Sequence, residues 1–172
     1  MTLLPIIIAP DPRLKKKTKP VDKVDEAVRL LMDNMLETMY AAKGIGLAGP
    51  QVGDMRRVIV VDCAMKGEKP LPIKMANPEI LEVSSEDSSY NEGCLSFPEY
   101  YADVIRPESI RVRYLDETNT IKECEADGIL ATCIQHEMDH LEGILFVDHI
   151  SALKRNMILR KLKKVKKQTT GG

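Results

Sequence analysis

The stretch "IQHEMDHLEG" at residues 134–143 limits the fold most, because it sets two of the chain's three histidines four positions apart. Residues at that spacing share a face only on a helix, where His136 and His140 could present ring nitrogens to one ion roughly 2.0–2.1 Å from each. Glu137 then points beside them, placed to take a proton from a water activated by that ion. Two imidazoles do not complete a catalytic site, so the chain must fold to bring a third ligand to this helix from elsewhere. The ordinary alternative is a helix whose histidines are simply core or surface residues.

The third ligand has few places to come from. An extended HExxHxxGxxH pattern would need histidine at 146, where the chain has Phe146, and no glutamate follows Glu142. Asp148 and His149 come just past the helix end, with little chain in which to fold back. The ligand is therefore expected upstream. Cys133 stands three residues before His136 but seven before His140, about 10.5 Å along a helix axis, too far for one tetrahedral site. Cys63 and Cys124 sit in strand-like runs and read as buried, inert thiols. Cys94, in "NEGCLSFP" between Gly93 and Pro98, is the candidate. Four cysteines at wide, irregular spacings form no disulfide framework, so any of them is free to act as a ligand. A Cys-His-His set with one open position is catalytic in type, since structural zinc sites close with four protein ligands.

Around this helix the periodicity points to an α+β fold: a mixed, mainly antiparallel sheet packed against a central metal-binding helix, with an N-terminal amphipathic helix and a C-terminal surface helix. Val24, Val28, Leu31, Met32, Met35, Leu36 and Met39 recur at helical spacing over 24–43, and Gly44 stands where a left-handed cap is wanted. "GIGLAGPQVG" (44–53) is too rich in Gly and Pro for helix or regular strand, and "RVIVVD" (57–62) reads as a buried strand. "LPIKMANPEILEV", "ADVIRP", "SIRVRYLD" and "TIKECEAD" alternate with turn signals too short for helical crossovers. The segment "DGILATCIQHEMDHLEG" returns to helical spacing, with Asp127 as N-cap and Gly143 as stop. A last helix, Ser151 to about Lys167, carries Leu153, Met157, Ile158, Leu162 and Val165 as its docking stripe, with "QTTGG" frayed beyond it. Residues 1–150 read as a single catalytic domain, and 151–172 as a basic C-terminal helix and tail belonging to it.

Charge and hydropathy bear on location and partners. The net charge of −1 conceals eight Lys or Arg and no acid within 154–167, which leaves the remainder strongly acidic. Such a run is either a solvated helix face or a handle for a polyanion such as RNA. No apolar run approaches the roughly 20 residues a bilayer requires. "LLPIIIAP" is followed, not preceded, by basic residues, the reverse of a secretory signal. A cytoplasmic protein without membrane contact is the expectation.

Three stretches taken together, "GIGLAGPQ", "EGCLSFP" and "QHEMDH", closely resemble in order and separation the three signature motifs of the peptide deformylases. The opening "IIIAPDPRL" at 6–14 is similar as well, so the resemblance covers nearly the whole chain. It implies hydrolytic removal of the formyl group from the N-terminal formylmethionine of new polypeptides, with Cys94, His136 and His140 holding a divalent metal. Fe2+ is the implied ion in the cell, with Zn2+, Ni2+ or Co2+ able to occupy the site in purified protein. Glu137 would act as general base and then acid, and the Gln51 side-chain amide and Leu95 backbone N–H would face the formyl oxygen. Ile45 and Leu95 suit an apolar pocket for methionine, Thr132 and Cys133 its wall, and Gly46 and Gly93 a bare backbone able to pair with an extended substrate. Each also has a plainer role, Gln51 bonding its own loop, Ile45 and Leu95 in core packing, the glycines in turns.

Two positions depart from the family pattern. Gly49 stands where alanine is common, a change expected to loosen the loop slightly, and Tyr101 stands where many members carry arginine, which affects substrate entry. The basic last helix fits an enzyme whose substrate emerges from a ribosome. The rival readings are a zinc peptidase, disfavoured by the absent downstream ligand, and a binding module with a structural metal.

Overall fold

The computed structural model describes residues 2–170. Helix α1 spans Glu26–Ala41, and its N-cap Asp25 accepts a hydrogen bond from the Val28 N–H at 3.0 Å. Seven strands follow: β1 Gly46–Ala48, β2 Val58–Val61, β3 Ile73–Val83, β4 Asp87–Cys94, β5 Phe97–Pro107, β6 Ser109–Leu115 and β7 Ile121–Asp127. Helix α2 spans Gly128–Leu141, a 3-10 turn Phe146–His149, and helix α3 Ala152–Thr170. Strands β1-β2-β3-β6-β7 form one sheet and β4-β5 a separate hairpin, every strand pair antiparallel. The parallel element expected of a mixed sheet is confined to an isolated bridge between Lys19 and Arg56.

Strand β2 shows how the layers stack. All four of its residues are buried, because Ile59 and Val61 face the cluster built around α2 while Val58 and Val60 face the cluster built around α1. A continuous apolar strand is what burial on both faces requires. Met32, Met35 and Met39 of α1 fill one side, and Ala131, Ile134, Met138 and Leu141 of α2 the other. A third cluster lies beneath the hairpin, where Phe97, Ala102 and Val104 of β5 meet Leu14, Phe146, Val147, and Ile158 and Leu162 of α3. Helix α2 thus has the sheet on one side and the hairpin on the other.

Several expectations from sequence are corrected. Lys43, not Gly44, takes the left-handed conformation after α1 (φ 58). Gly44 is small for another reason, since a Cβ there would lie 2.6 Å from Leu95 Cδ1. Three residues of the Gly/Pro-rich loop do pair, as the edge strand β1. Asp127 is the N-cap of α2 as expected, though it makes no side-chain cap bond, and Gly143, at φ 73, stops the helix as expected, against the Lys15 carbonyl, which a side chain would strike. On α3 only Ile158 and Leu162 of the expected stripe are buried; Leu153, Met157 and Val165 are exposed, and Leu159 packs beside the buried pair instead. The helical backbone continues to Thr170, into the stretch expected to fray, while Gly171 and Gly172 lie outside the described residues.

Candidate active site

Two elements on opposite sides of a cleft bring the three metal candidates together. Helix α2 carries His136 and His140 with ring centroids 5.1 Å apart, and the end of β4 carries Cys94 to them. One ligating atom from each of Cys94, His136 and His140 falls in a group no wider than 4.8 Å, and Cys94 Sγ stands 3.3 Å from His140 Nε2. Among the described residues no other His, Cys, Asp or Glu group of three or more meets this criterion. Cys63, Cys124 and Cys133 stay outside it, but Cys63 and Cys124, expected to be buried, are only half-buried.

The donor chemistry fits a borderline cation. His136 Nδ1 is held by Glu92 Oε1 at 2.9 Å, which fixes the ring and leaves Nε2 for the site, the usual support for a metal-binding histidine. Burial opposes charge on His136, yet Glu137, Cys94 and Glu92 outweigh it and hold its pKa well above the ordinary range. Three acidic groups thus draw positive charge to this point. His140 is pushed the other way, well down, by burial and by the charges of His136 and Arg106. Ligation requires both imidazoles neutral and the thiol ionised, so an ion bound here would displace the proton that the acidic neighbours favour on His136, while His140 is already held neutral.

Glu137 is the general-base candidate, and its surroundings suit the role. The side chain is buried, burial above all pushes its pKa up to about 7, and Oε1 has no hydrogen-bond partner within the protein. A carboxyl poised near neutrality can both take and return a proton. Gly46 makes room for it, since a Cβ at 46 would lie 2.5 Å from Glu137 Oε2 and 2.8 Å from Cys133 Sγ.

Gln51 is buried in a 3-10 turn, Gly49–Val52. Its Oε1 accepts from the Ala48 N–H at 3.0 Å; its Nε2 donates to Ser96 Oγ at 3.1 Å and meets Cys94 Sγ at 3.5 Å. The amide is therefore locked with its donor end toward the site. The tightness of this loop corrects the expectation for Gly49: a methyl there would lie 2.8 Å from the carbonyl oxygens of Asp54 and Arg56, so glycine permits close packing and does not loosen the turn.

A cleft of about 360 Å³ runs past these groups, lined by Ile45, Gly46, Gln51, Gly93, Leu95 and Tyr101 among others. Beside it a recess of about 100 Å³ is lined by Ile45, Ile129, Thr132, Cys133 and Tyr90, with His136 and Glu137 bordering both. Every residue proposed from sequence for substrate contact lines one or the other. The Tyr101 ring lies over Gly93, where a Cβ would stand 2.5 Å from Tyr101 Cε1.

Sequence reasoning missed the buried support behind the histidines. Arg106 bonds Glu92 through Nε at 2.7 Å and Nη2 at 3.0 Å, and reaches Asp139 Oδ2 through Nη1 at 2.8 Å. Burial would lower the Arg106 pKa, but Glu92 and Asp139 raise it overall, while Arg106 and His136 bring Glu92 below its usual range against the same burial. Ser96, Tyr90 and Ile129 were also missed. Glu92 and Ser96 flank Cys94 within its own motif, the one signal that could have found them.

Comparison with known proteins agrees with this geometry. The family model described as polypeptide deformylase matches residues 3–156. A peptide deformylase of Methylocella silvestris is 58% identical over 170 residues, covering 97% of this chain and 87% of its own length. One from Mesorhizobium japonicum is 53% identical over 172 residues, covering 100% of this chain and 98% of its own. Among solved structures, the crystal structure of peptide deformylase from Ehrlichia chaffeensis superposes with a TM-score of 0.93 at 38% identity, over 98% of this chain and 99% of that one. Sequence kinship along the full length and a shared fold, meeting on one cleft, show that the chain belongs to the peptide deformylase family.

Proposed function

We propose that Cys94, His136 and His140 hold the metal of this deformylase and that Glu137 moves the proton. The chain is a metal-dependent hydrolase that removes the N-formyl group from the formylmethionine of nascent polypeptides, as its family does. The observation that carries the residue roles is the convergence of three donor atoms within 4.8 Å of one another beside a buried carboxyl.

A divalent ion bound there supplies Lewis-acid activation of water and neutralises growing negative charge. Glu137 takes the proton of the attacking water and returns it to the departing amine. The Gln51 Nε2–H that faces Cys94, together with the Leu95 backbone N–H in the β4-β5 turn, lies on the side where the formyl oxygen gathers charge. Gly46 and Gly93 offer bare backbone to an extended substrate, and the recess walled by Ile45, Thr132 and Cys133 takes the methionine side chain, with Leu95 lining the adjoining cleft. The donor set suits several first-row ions. Fe2+ is our assignment for the cell, and Zn2+, Ni2+ or Co2+ can replace it in purified protein.

Residues 1–150 form the catalytic domain and the basic C-terminal helix belongs to it, a reading supported by Ile158 and Leu162 of α3, which join the cluster under the hairpin. The exposed Lys154, Arg160, Lys161, Lys163 and Lys164 leave α3 suited to ribosomal RNA. A cytoplasmic location is consistent with the finding that no described helix is long and apolar enough to cross a membrane.

The test is Glu137→Ala with metal content measured alongside turnover of a formyl-Met tripeptide. Lost turnover with metal retained supports the role, and retained turnover refutes it.

A further inference from the structure

The third histidine, His149, is unused by the reaction, yet it ends a continuous chain of polar contacts that begins at His136. His149 Nε2 lies 2.8 Å from Asp139 Oδ2, the same oxygen that Arg106 Nη1 reaches at 2.8 Å. Arg106 then grips both oxygens of Glu92, at 2.7 and 3.0 Å, and Glu92 Oε1 lies 2.9 Å from His136 Nδ1. His149 is about a third exposed, whereas Arg106 and Glu92 are almost fully enclosed, so the chain runs from the surface to the buried imidazole.

The segment that supplies His149 is itself pinned. In the 3-10 turn Phe146–His149, Asp148 accepts from the Leu145 N–H at 2.9 Å and pairs with Lys15 Nζ at 2.8 Å. The same turn lays the Phe146 ring over that of His136, centroids 6.0 Å apart and 25° from parallel, while Phe97 meets Phe146 edge-on at 5.1 Å. One short turn therefore reaches His136 by two routes, through a ring face and through a relay of five hydrogen bonds by way of Asp139, Arg106 and Glu92. The Asp139 oxygen that Arg106 bonds is thus shared with a second donor, His149, so its orientation depends on both.

We infer that His149 is a positioning residue for His136, its Nε2–H fixing Asp139 so that Arg106 and Glu92 hold the metal-binding ring in one orientation and tautomer. The inference rests on the assignment of His136 as a ligand given above. Outer partners of metal-binding histidines commonly contribute 10- to 100-fold in metal affinity, and a residue one contact further out should contribute less.

The experiment follows the rate of metal loss from the loaded protein to a chelator in the parent, His149→Gln, His149→Leu and His136→Ala, with kcat and KM for a formyl-Met tripeptide and urea unfolding of each. Gln keeps an N–H donor; Leu keeps bulk without one. Expected are a roughly three- to tenfold faster loss in His149→Leu, a lower kcat at unchanged KM, and recovery of most of both by His149→Gln. His149→Leu indistinguishable from the parent overturns the inference, and so does His149→Gln as impaired as His149→Leu, since packing rather than the donor would then be responsible. His136→Ala that binds metal as tightly as the parent overturns the assignment of His136 as a ligand, and the inference with it.

Discussion

Glu137 Oε2 and the α-carbon of Gly46 are in such close approach that a Cβ on residue 46 would lie 2.5 Å from the carboxylate oxygen. The general-base candidate is thus seated against a neighbour's backbone on β1. Gly46→Ala should displace it, and a shift of about 1 Å in a reacting group costs on the order of 100-fold in rate. Steady-state kinetics should show that drop in kcat/KM, with the urea midpoint changed far less.

The raised pKa of Glu137 makes a prediction about stability. A carboxyl whose folded pKa stands near 7 against 4.5 when free keeps its proton in the folded state, so its contribution is fully present below pH 4.5 and fades as pH rises through about 7. In metal-free protein, the stability of the parent relative to Glu137→Gln should fall over that window, by on the order of 3 kcal/mol. Urea unfolding at several pH values measures it, and a pH-independent difference would mean that Glu137 is not desolvated.

Arg106 and Glu92 form an enclosed pair whose side chains are 5% and 4% exposed. Removing one partner leaves an uncompensated buried charge, so Arg106→Met should lower the unfolding free energy by about 3–5 kcal/mol. Chemical denaturation checks this. Arg113, whose pair with Glu79 is exposed, should tolerate the same change within about 0.5 kcal/mol.

The recess beside the cleft is small, about 100 Å³, and buried Thr132 forms part of its wall. Thr132→Phe should occlude it and raise KM for formyl-Met peptides at least tenfold, while a formylated peptide beginning with glycine, having no side chain to lodge there, should be affected much less. Competition between the two substrates reads the difference directly.

The parts of this molecule legible from sequence are those where chemistry dictates spacing. The His136–His140 interval requires a helix whatever surrounds it, and Cys94 emerged because every other thiol was badly placed. The hairpin was harder. Strand β4 reads "DSSYNEGC", without apolar alternation, and exists through its pairing with β5. On β5 the alternation runs against hydropathy, since Arg106 points inward after Ala102 and Val104 while Ile105 faces solvent. A buried ion pair between residues 14 apart is invisible until the hairpin register is known. On α3, side-chain periodicity alone could not choose which neighbouring stripe docks, and Ile158, Leu159 and Leu162 prevailed over Leu153, Met157 and Val165 because the hairpin cluster meets that side.

The most direct measurement of the central claim is formate release from a formyl-Met tripeptide under anaerobic conditions, by parent and Cys94→Ser, with the metal content of each determined. The account predicts rapid release by the parent carrying about one equivalent of divalent metal, and loss of both metal and release in the variant. Full metal retention and turnover in Cys94→Ser would contradict it.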